Sequence, residues 1–460
     1  MFENIDVYID KNRDRILEEL FGLLRIPSVS AGDNHRKDMF RAAEYWKELF
    51  IKAGVDSAEV FVTEGNPVTF AQKIINSELP TVLVYGHMDV MPVDPLDQWK
   101  TNPFEPEIID GKIFARGADD DKGQSFMHLV AFEYMVRTGT LPCNVKFLIE
   151  GEEEIGSPSL SGFCADHKQM LKSDVILVSD TTMISENVPS ITAGLRGIAY
   201  WQVEVTGPNR DLHSGLYGGA VANPINVLCE LIAKCTDKKH RITIPGFYDD
   251  VVEISDSERK LLNSRPFSKN DYKLALGVQK LQGEKGYTTI ERTGVRPTFD
   301  VCGIWGGYSG NGTKTVLPSK AYAKISCRLV PNQDHHKIAK LLSKYLKEIA
   351  PKSVKINVEY LHGGQSYVCP INHPAYKAAE KAMTELYGIC PVPFRSGGSI
   401  PIVSAFEEIL GVKTILMGFG LESDAIHSPN ENFPLNSFFN GIRAIPLFYK
   451  YYTENAMISK

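Results

Sequence analysis

Three apolar stretches of this chain each run straight into acid or histidine. TVLVYGHMDV (residues 81–90) delivers His87 and then Asp89, NVKFLIEGEEE (144–154) delivers three adjacent glutamates, and DVILVSD (174–180) ends on Asp180. A strand that is apolar on successive residues has no polar face to offer water, so both its faces must be covered. Between these runs, helical stretches are expected over 38–53, closed by Gly54, over 123–137 and over 159–171. Shorter β-branched runs, AEVFVT and VTFAQKI, precede the first apolar strand. This alternation predicts an α/β fold with a buried, mixed and mostly parallel sheet. The opening MFENIDVYIDKNRDRILEELFGLLRI reads as an acidic amphipathic helix with Ile9, Ile16, Leu20 and Leu24 on one side.

Around Ile191 the texture changes. AYWQVEVTG alternates like a half-exposed strand, a helix follows Pro224, and a polar, irregular stretch runs from Lys238 to Arg296. AYAKISCRLVP, a helix over 336–349 and VKINVEYL then read as a β-α-β piece of an inserted α+β domain. The expected boundaries are 1–192 and 376–460 for the two parts of a catalytic domain, with 193–375 between them. A length of 460 residues accommodates that division.

Net charge is −6 with acids and bases interspersed, which argues against nucleic acid or an anionic membrane as partner. No run approaches the ~18 apolar residues of a membrane span, and the first residues lack a basic, then apolar, leader, so a cytoplasmic location is expected. Eight scattered cysteines without a CxxC fit a reducing compartment better than a disulfide framework.

The polar clusters gather where strands end. FARGADDDKG (114–123) and LESDAIHSP (421–429) add Asp120 and His427 to the set. In open α/β sheets ligands bind beyond the carboxyl ends of the strands, so these clusters are expected to converge. Taken singly, a strand-end aspartate is more often a turn cap and a triple acid a solvated loop. Together they would repel unless cations sit among them. Two zinc-like ions would supply the charge, and His plus carboxylate without thiolate suits a catalytic pair of zinc, or alternatively manganese, ions.

YGHMDVMP, ARGADDDKG, EGEEEIGS, VSD and IHSP, in this order, resemble the motif series of the M20 metallopeptidases. DLHSGLYGG and RLVPNQ are similar to those of its carnosinase-like dipeptidases. The resemblance implies a zinc-peptidase-like catalytic domain with an inserted ferredoxin-like lid and dimerisation domain, and a homodimer that hydrolyses dipeptides. It implies His87, Asp120 and Asp180 on one metal, and Glu154, His427 and the bridging Asp120 on the other. A metal-held hydroxide would be the nucleophile, Glu153 the general base, and Asp89 the acid orienting His87. Glu152, uncharged in some relatives, is expected to face solvent, and Asp119, where a small residue is usual, is given no role. Aspartate at position 180 points to dipeptidases or aminopeptidases rather than carboxypeptidases or acylases.

For substrate, the resemblance implies Arg328 on the C-terminal carboxylate, with Ser399 and the Gly397 and Gly398 backbone beside it. Thr315 and His362 make further contacts, and His213 serves the neighbouring subunit's site as an oxyanion donor. The rival chemistries are deacylation of N-acyl amino acids and carboxypeptidase or aminopeptidase action on longer peptides. A relative without catalysis, acting as a scaffold, would require a lost ligand or base, and all six positions are intact.

Overall fold

The computed structural model describes residues 5–264 and 266–458; the first four residues of the expected N-terminal helix lie outside them. Two compact units emerge. One comprises Met1–Ala193, Cys369–Phe394 and Ile402–Lys460, the other Gly194–Val368 and Arg395–Pro401.

The first unit is built on the predicted sheet. Strand Thr81–His87 lies at its centre, parallel to Asn144–Glu150 on one side and to Val175–Val178 on the other, and Thr414–Leu416 adds a further parallel strand. Ser57–Phe61 and Val68–Lys73 extend it antiparallel. All seven residues of Asn144–Glu150 and all four of Val175–Val178 are buried, as a two-sided cover requires. The cover comes from helices Ile5–Leu24, Arg36–Ala53, Lys122–Thr138, Pro374–Tyr387 and Leu435–Ile458. Arg36–Ala53 stops where Gly54 adopts φ 99°, a left-handed cap that a side chain would strain. The expected helix over 159–171 is only Leu160–Asp166.

The parallel register sets the chemistry. His87 pairs with Glu150 and Tyr85 with Val178, so position 180 follows at the level of His87. Residues just beyond three strand ends, 87–89, 151–154 and 179–180, therefore emerge on one edge.

The second unit has a four-stranded antiparallel sheet, in the order Thr298–Gly306, Lys320–Leu329, Gly197–Thr206, Lys355–Gly364. With helices Pro224–Ala233 and His335–Ile349 between strands, this is a β-α-β-β-α-β, ferredoxin-like arrangement. Alternation is strict in Gly197–Thr206: Ala199, Trp201, Val203 and Val205 join the helices in a core, leaving Tyr200, Gln202 and Glu204 on the other face. The stretch 238–296 is more ordered than its composition suggests, holding helices Asp256–Leu262, Lys269–Ala275 and Thr289–Gly294. Each has a Ser or Thr N-cap, and Thr288 with Glu291 forms a full capping box, so the signal was local and present in the sequence.

Among the described residues no helix is long and apolar enough to cross a membrane. Among the described residues no disulfide joins any of the eight cysteines.

Candidate metal centre

His87 closes its strand fully buried, and its two ring nitrogens face in different directions. Nδ1 lies 3.0 Å from the backbone oxygen of Asp89, while Nε2 lies 3.0 Å from Asp120 Oδ1 and 3.8 Å from Asp180 Oδ2. The second oxygen of Asp120 meets His427 Nε2 at 2.9 Å, and the same nitrogen lies 3.1 Å from Glu154 Oε2. Asp120 thus spans two histidines that are 340 positions apart in sequence.

Two sets of three donors have their ligand atoms within 4.8 Å of one another: His87, Glu153 and Asp180, and Asp120, Glu154 and His427. The second set matches its expected membership. In the first, Glu153 stands where Asp120 was expected, although Asp120 still touches His87.

The backbone around these side chains is tightly held. Asp121 accepts hydrogen bonds from the His87 amide and the Ser125 hydroxyl, tying the Asp120 loop to the strand end. Glu431, absent from the sequence-based set, accepts from the amides of Gly117, Asp119 and Asp120 and from Arg116. Its only sequence signal was its place four residues after His427 in IHSPNEN.

Asp89 lies beside His87 as expected and has a second set of contacts. Its carboxylate stands 3.4 Å from His87 Nδ1, and its closer contacts are the amides of Glu153 at 3.2 Å and Glu154 at 3.1 Å. It positions the glutamate turn as much as the imidazole.

Glu152 corrects a second expectation. Rather than facing solvent it is 4% exposed, accepting from the amides of Asn66 and Ser159. Three successive acids give no periodicity from which their separate directions could be read.

The protonation balance shows what the cluster lacks. Burial, then the charge of Asp120, pushes the Glu154 carboxyl up to about 7 and that of Asp180 up to about 6. Burial raises Glu153 well above the usual range. Hydrogen bonds to Asp120 and Glu154 lift His427 to about 11. Burial opposes charge on His87, yet Asp120 and Asp89 hold it well above 6.5. Four carboxylates and two imidazoles therefore share too little positive charge. Oxygen and imidazole donors in two neighbouring sets are what a pair of divalent ions would take.

The predicted substrate residues lie in the second unit. The Arg328 guanidinium donates to Ser399 Oγ at 2.8 Å, and that hydroxyl donates to the Arg196 carbonyl. Gly398 N–H is already engaged by Ser396 Oγ, and its carbonyl accepts from the Arg196 amide. The Arg196 side chain donates to the carbonyls of Gly397, Arg292 and Arg296. His362 stacks on Tyr200 with ring centroids 5.2 Å apart and planes 9° from parallel; burial and then Arg328 lower its pKa. Exposed Thr315 accepts the Ser214 amide. Exposed His213 accepts the Gly215 amide on Nδ1, leaving its proton on Nε2.

The chain as a whole has known counterparts. Peptidase family M20/M25/M40 matches the chain over residues 83–450. The chain belongs to this family. It is 32% identical to the Cys-Gly metallodipeptidase dug1 of Schizosaccharomyces pombe over 470 aligned positions, covering 98% of each chain. It is 31% identical to the human Beta-Ala-His dipeptidase, covering 100% of this chain and 93% of the other. Among solved structures, the M20 family metallo-carboxypeptidase Sso-CP2 from Sulfolobus solfataricus superposes with a TM-score of 0.88 at 33% identity, over 95% of this chain and 99% of that one. Human carnosine dipeptidase 1 superposes with a TM-score of 0.86 at 30% identity, over 98% of each. This M20 protein is a metallopeptidase.

Proposed function

We propose that this M20 peptidase hydrolyses the peptide bond of dipeptides, using two divalent metal ions, zinc in the first instance and manganese as the alternative. The observation that carries the reading is Asp120, with one oxygen on His87 and the other on His427, between two three-donor sets. We assign His87, Asp120 and Asp180 to one ion, and Asp120, Glu154 and His427 to the other. Bound there, the ions would polarise the scissile carbonyl and acidify the attacking water.

The residues of the chain do the rest. Glu153, with no hydrogen bond to its carboxylate among the described residues, is free to accept a proton on a carboxylate oxygen and pass it to the leaving amine. Asp89 keeps that carboxylate in place by holding the amides of residues 153 and 154. Arg328, with Ser399 beside it and the Gly398 turn behind, receives the C-terminal carboxylate of the substrate. His362 and Thr315 supply further contacts. The Nε2–H of His213 serves as oxyanion donor to the partner site of a homodimer, with the inserted domain as lid and dimerisation unit. A cytoplasmic setting agrees with the lack of a disulfide among the eight cysteines of the described residues.

The likeness to a metallo-carboxypeptidase favours one second reading, the trimming of longer peptides. A panel of dipeptides, tripeptides and N-acetyl amino acids assayed with added zinc or manganese separates the cases. Preference for dipeptides supports the proposal. Equal rates on tripeptides favour trimming, and equal rates on N-acetyl amino acids favour deacylation.

A further inference from the structure

The turn that carries Glu153 and Glu154 is short, a single 3-10 turn at Glu153–Ile155, and buried carboxylates grip it from several sides. Asp89 takes the amides of residues 153 and 154. Glu150, at the end of its strand, accepts from Tyr85 Oη at 2.5 Å and from Ser157 Oγ at 2.8 Å. Glu152 reaches the other way. Its Oε1 accepts the Asn66 amide at 2.8 Å and its Oε2 the Ser159 amide at 3.0 Å, while Asn66 Nδ2 donates to the Gly151 carbonyl at 2.9 Å.

The loop that Glu152 docks onto is shaped to receive it. Thr63 Oγ1 donates to the Asn66 carbonyl and accepts the Gly65 amide, closing a compact bend. Gly65 is not among the glycines with positive φ, so its backbone does not demand glycine. Space does. A Cβ on Gly65 would lie 1.6 Å from Glu152 Oε1 and 2.6 Å from its Cδ. The glycine and the buried glutamate are complementary halves of one contact, joining residues 87 positions apart.

We propose that Glu152 is a positioning residue for Glu153, locking the catalytic turn onto the Thr63–Asn66 bend so that the neighbouring carboxylate stays between His87 and Asp180. This rests on reading Glu153 as the base. A carboxylate that merely stabilised the fold would alter melting behaviour but not the turnover of folded, metal-loaded enzyme. A positioning residue must alter turnover.

The test compares Glu152→Gln, Gly65→Ala and the pair Glu152→Ala with Gly65→Ala, each as metal-loaded full chain, with Glu153→Gln as a parallel control. Glutamine can accept only one of the two amides, so exchange at the Asn66 and Ser159 amides should quicken. The methyl of Gly65→Ala should displace the carboxylate without touching the site. Both single variants should lose about 10-fold or more in kcat, since a misplacement near 1 Å costs up to ~10², with KM and metal content within two-fold of wild type. In the Glu152→Ala background only the Ser159 hydroxyl, 2.9 Å from the added methyl, must turn aside, so Gly65→Ala should cost little further; this non-additivity marks the contact. Unchanged kcat in both single variants beside an inactive Glu153→Gln would overturn the positioning role alone. Purely additive losses would overturn it as well. An active Glu153→Gln would overturn the base assignment on which it rests.

Discussion

Glu431 and Glu153 lie in the same unit and receive opposite treatment. Glu431 is fully buried and accepts four donors: the amides of Gly117, Asp119 and Asp120, and the Arg116 guanidinium at 2.7 Å. Burial raises its pKa, and Arg116 opposes the shift. Around the carboxylates of Glu153 and Asp180, no hydrogen bond is made among the described residues, and the nearest cationic group to Asp180 is His87 at 3.8 Å. The same contrast separates two guanidiniums. Arg116 is paired with Glu431, whereas among the described residues the Arg328 guanidinium makes one hydrogen bond, to the Ser399 hydroxyl, and no ion pair. A charge that holds the fold is surrounded by partners, because an unpaired buried charge is costly. A charge kept bare at such a cost marks a place where something else binds or reacts.

The largest test of this contrast is Glu153→Gln. Removing a bare base should lower kcat by about 10²–10⁴ while elemental analysis still finds both metals. Glu154→Ala should instead lower metal occupancy. Metal loss in the first variant with full occupancy in the second would reverse the division between the two glutamates.

Glu431→Ala attacks the satisfied partner and should act on stability. It strands Arg116 and three amides, so a loss of about 3–5 kcal/mol is expected in denaturant unfolding. A loss below about 1 kcal/mol would show that Glu431 is no structural anchor.

Arg328→Lys tests the bare guanidinium. The charge persists but the two-pronged geometry does not, so kcat/KM for dipeptides should fall by the equivalent of about 1.5–3 kcal/mol. Tm should scarcely move, because no buried carboxylate loses its partner. Unchanged kcat/KM would remove Arg328 from the substrate site.

The smallest effect concerns a third kind of buried group. His128 sits in helix Lys122–Thr138 and donates from Nε2 to Ser179 Oγ, whose hydroxyl is committed to the Met417 carbonyl. Its Nδ1 is bare, and burial pushes its pKa down to about 3. The folded protein therefore holds it neutral, while the unfolded chain protonates it near 6.5. Its contribution is complete above about 6.5 and is lost as pH falls toward 3, at no more than about 1.4 kcal/mol per pH unit. Unfolding midpoints between pH 7 and 5 should fall less steeply for His128→Asn than for wild type. Parallel slopes would mean that His128 is not the group being titrated.

The sequence by itself carried the parallel sheet, the strand ends that bear His87, Glu153, Glu154 and Asp180, the loops that carry Asp120 and His427, and the α+β insertion. Those features follow from periodicity and from motifs a few residues long, where neighbours in sequence are neighbours in space. Tertiary structure alone decided which carboxylates are anchored and which are bare. Glu152, Glu153 and Glu154 are one letter repeated, yet the first turns to Asn66 and Ser159, the second is left free and the third meets His427. Glu431 reaches the Gly117 amide across 314 positions, and Asp120 links two histidines 340 apart. Such meetings depend on sheet register and on turns that redirect successive side chains, and local sequence pattern does not encode which distant donor each side chain will find.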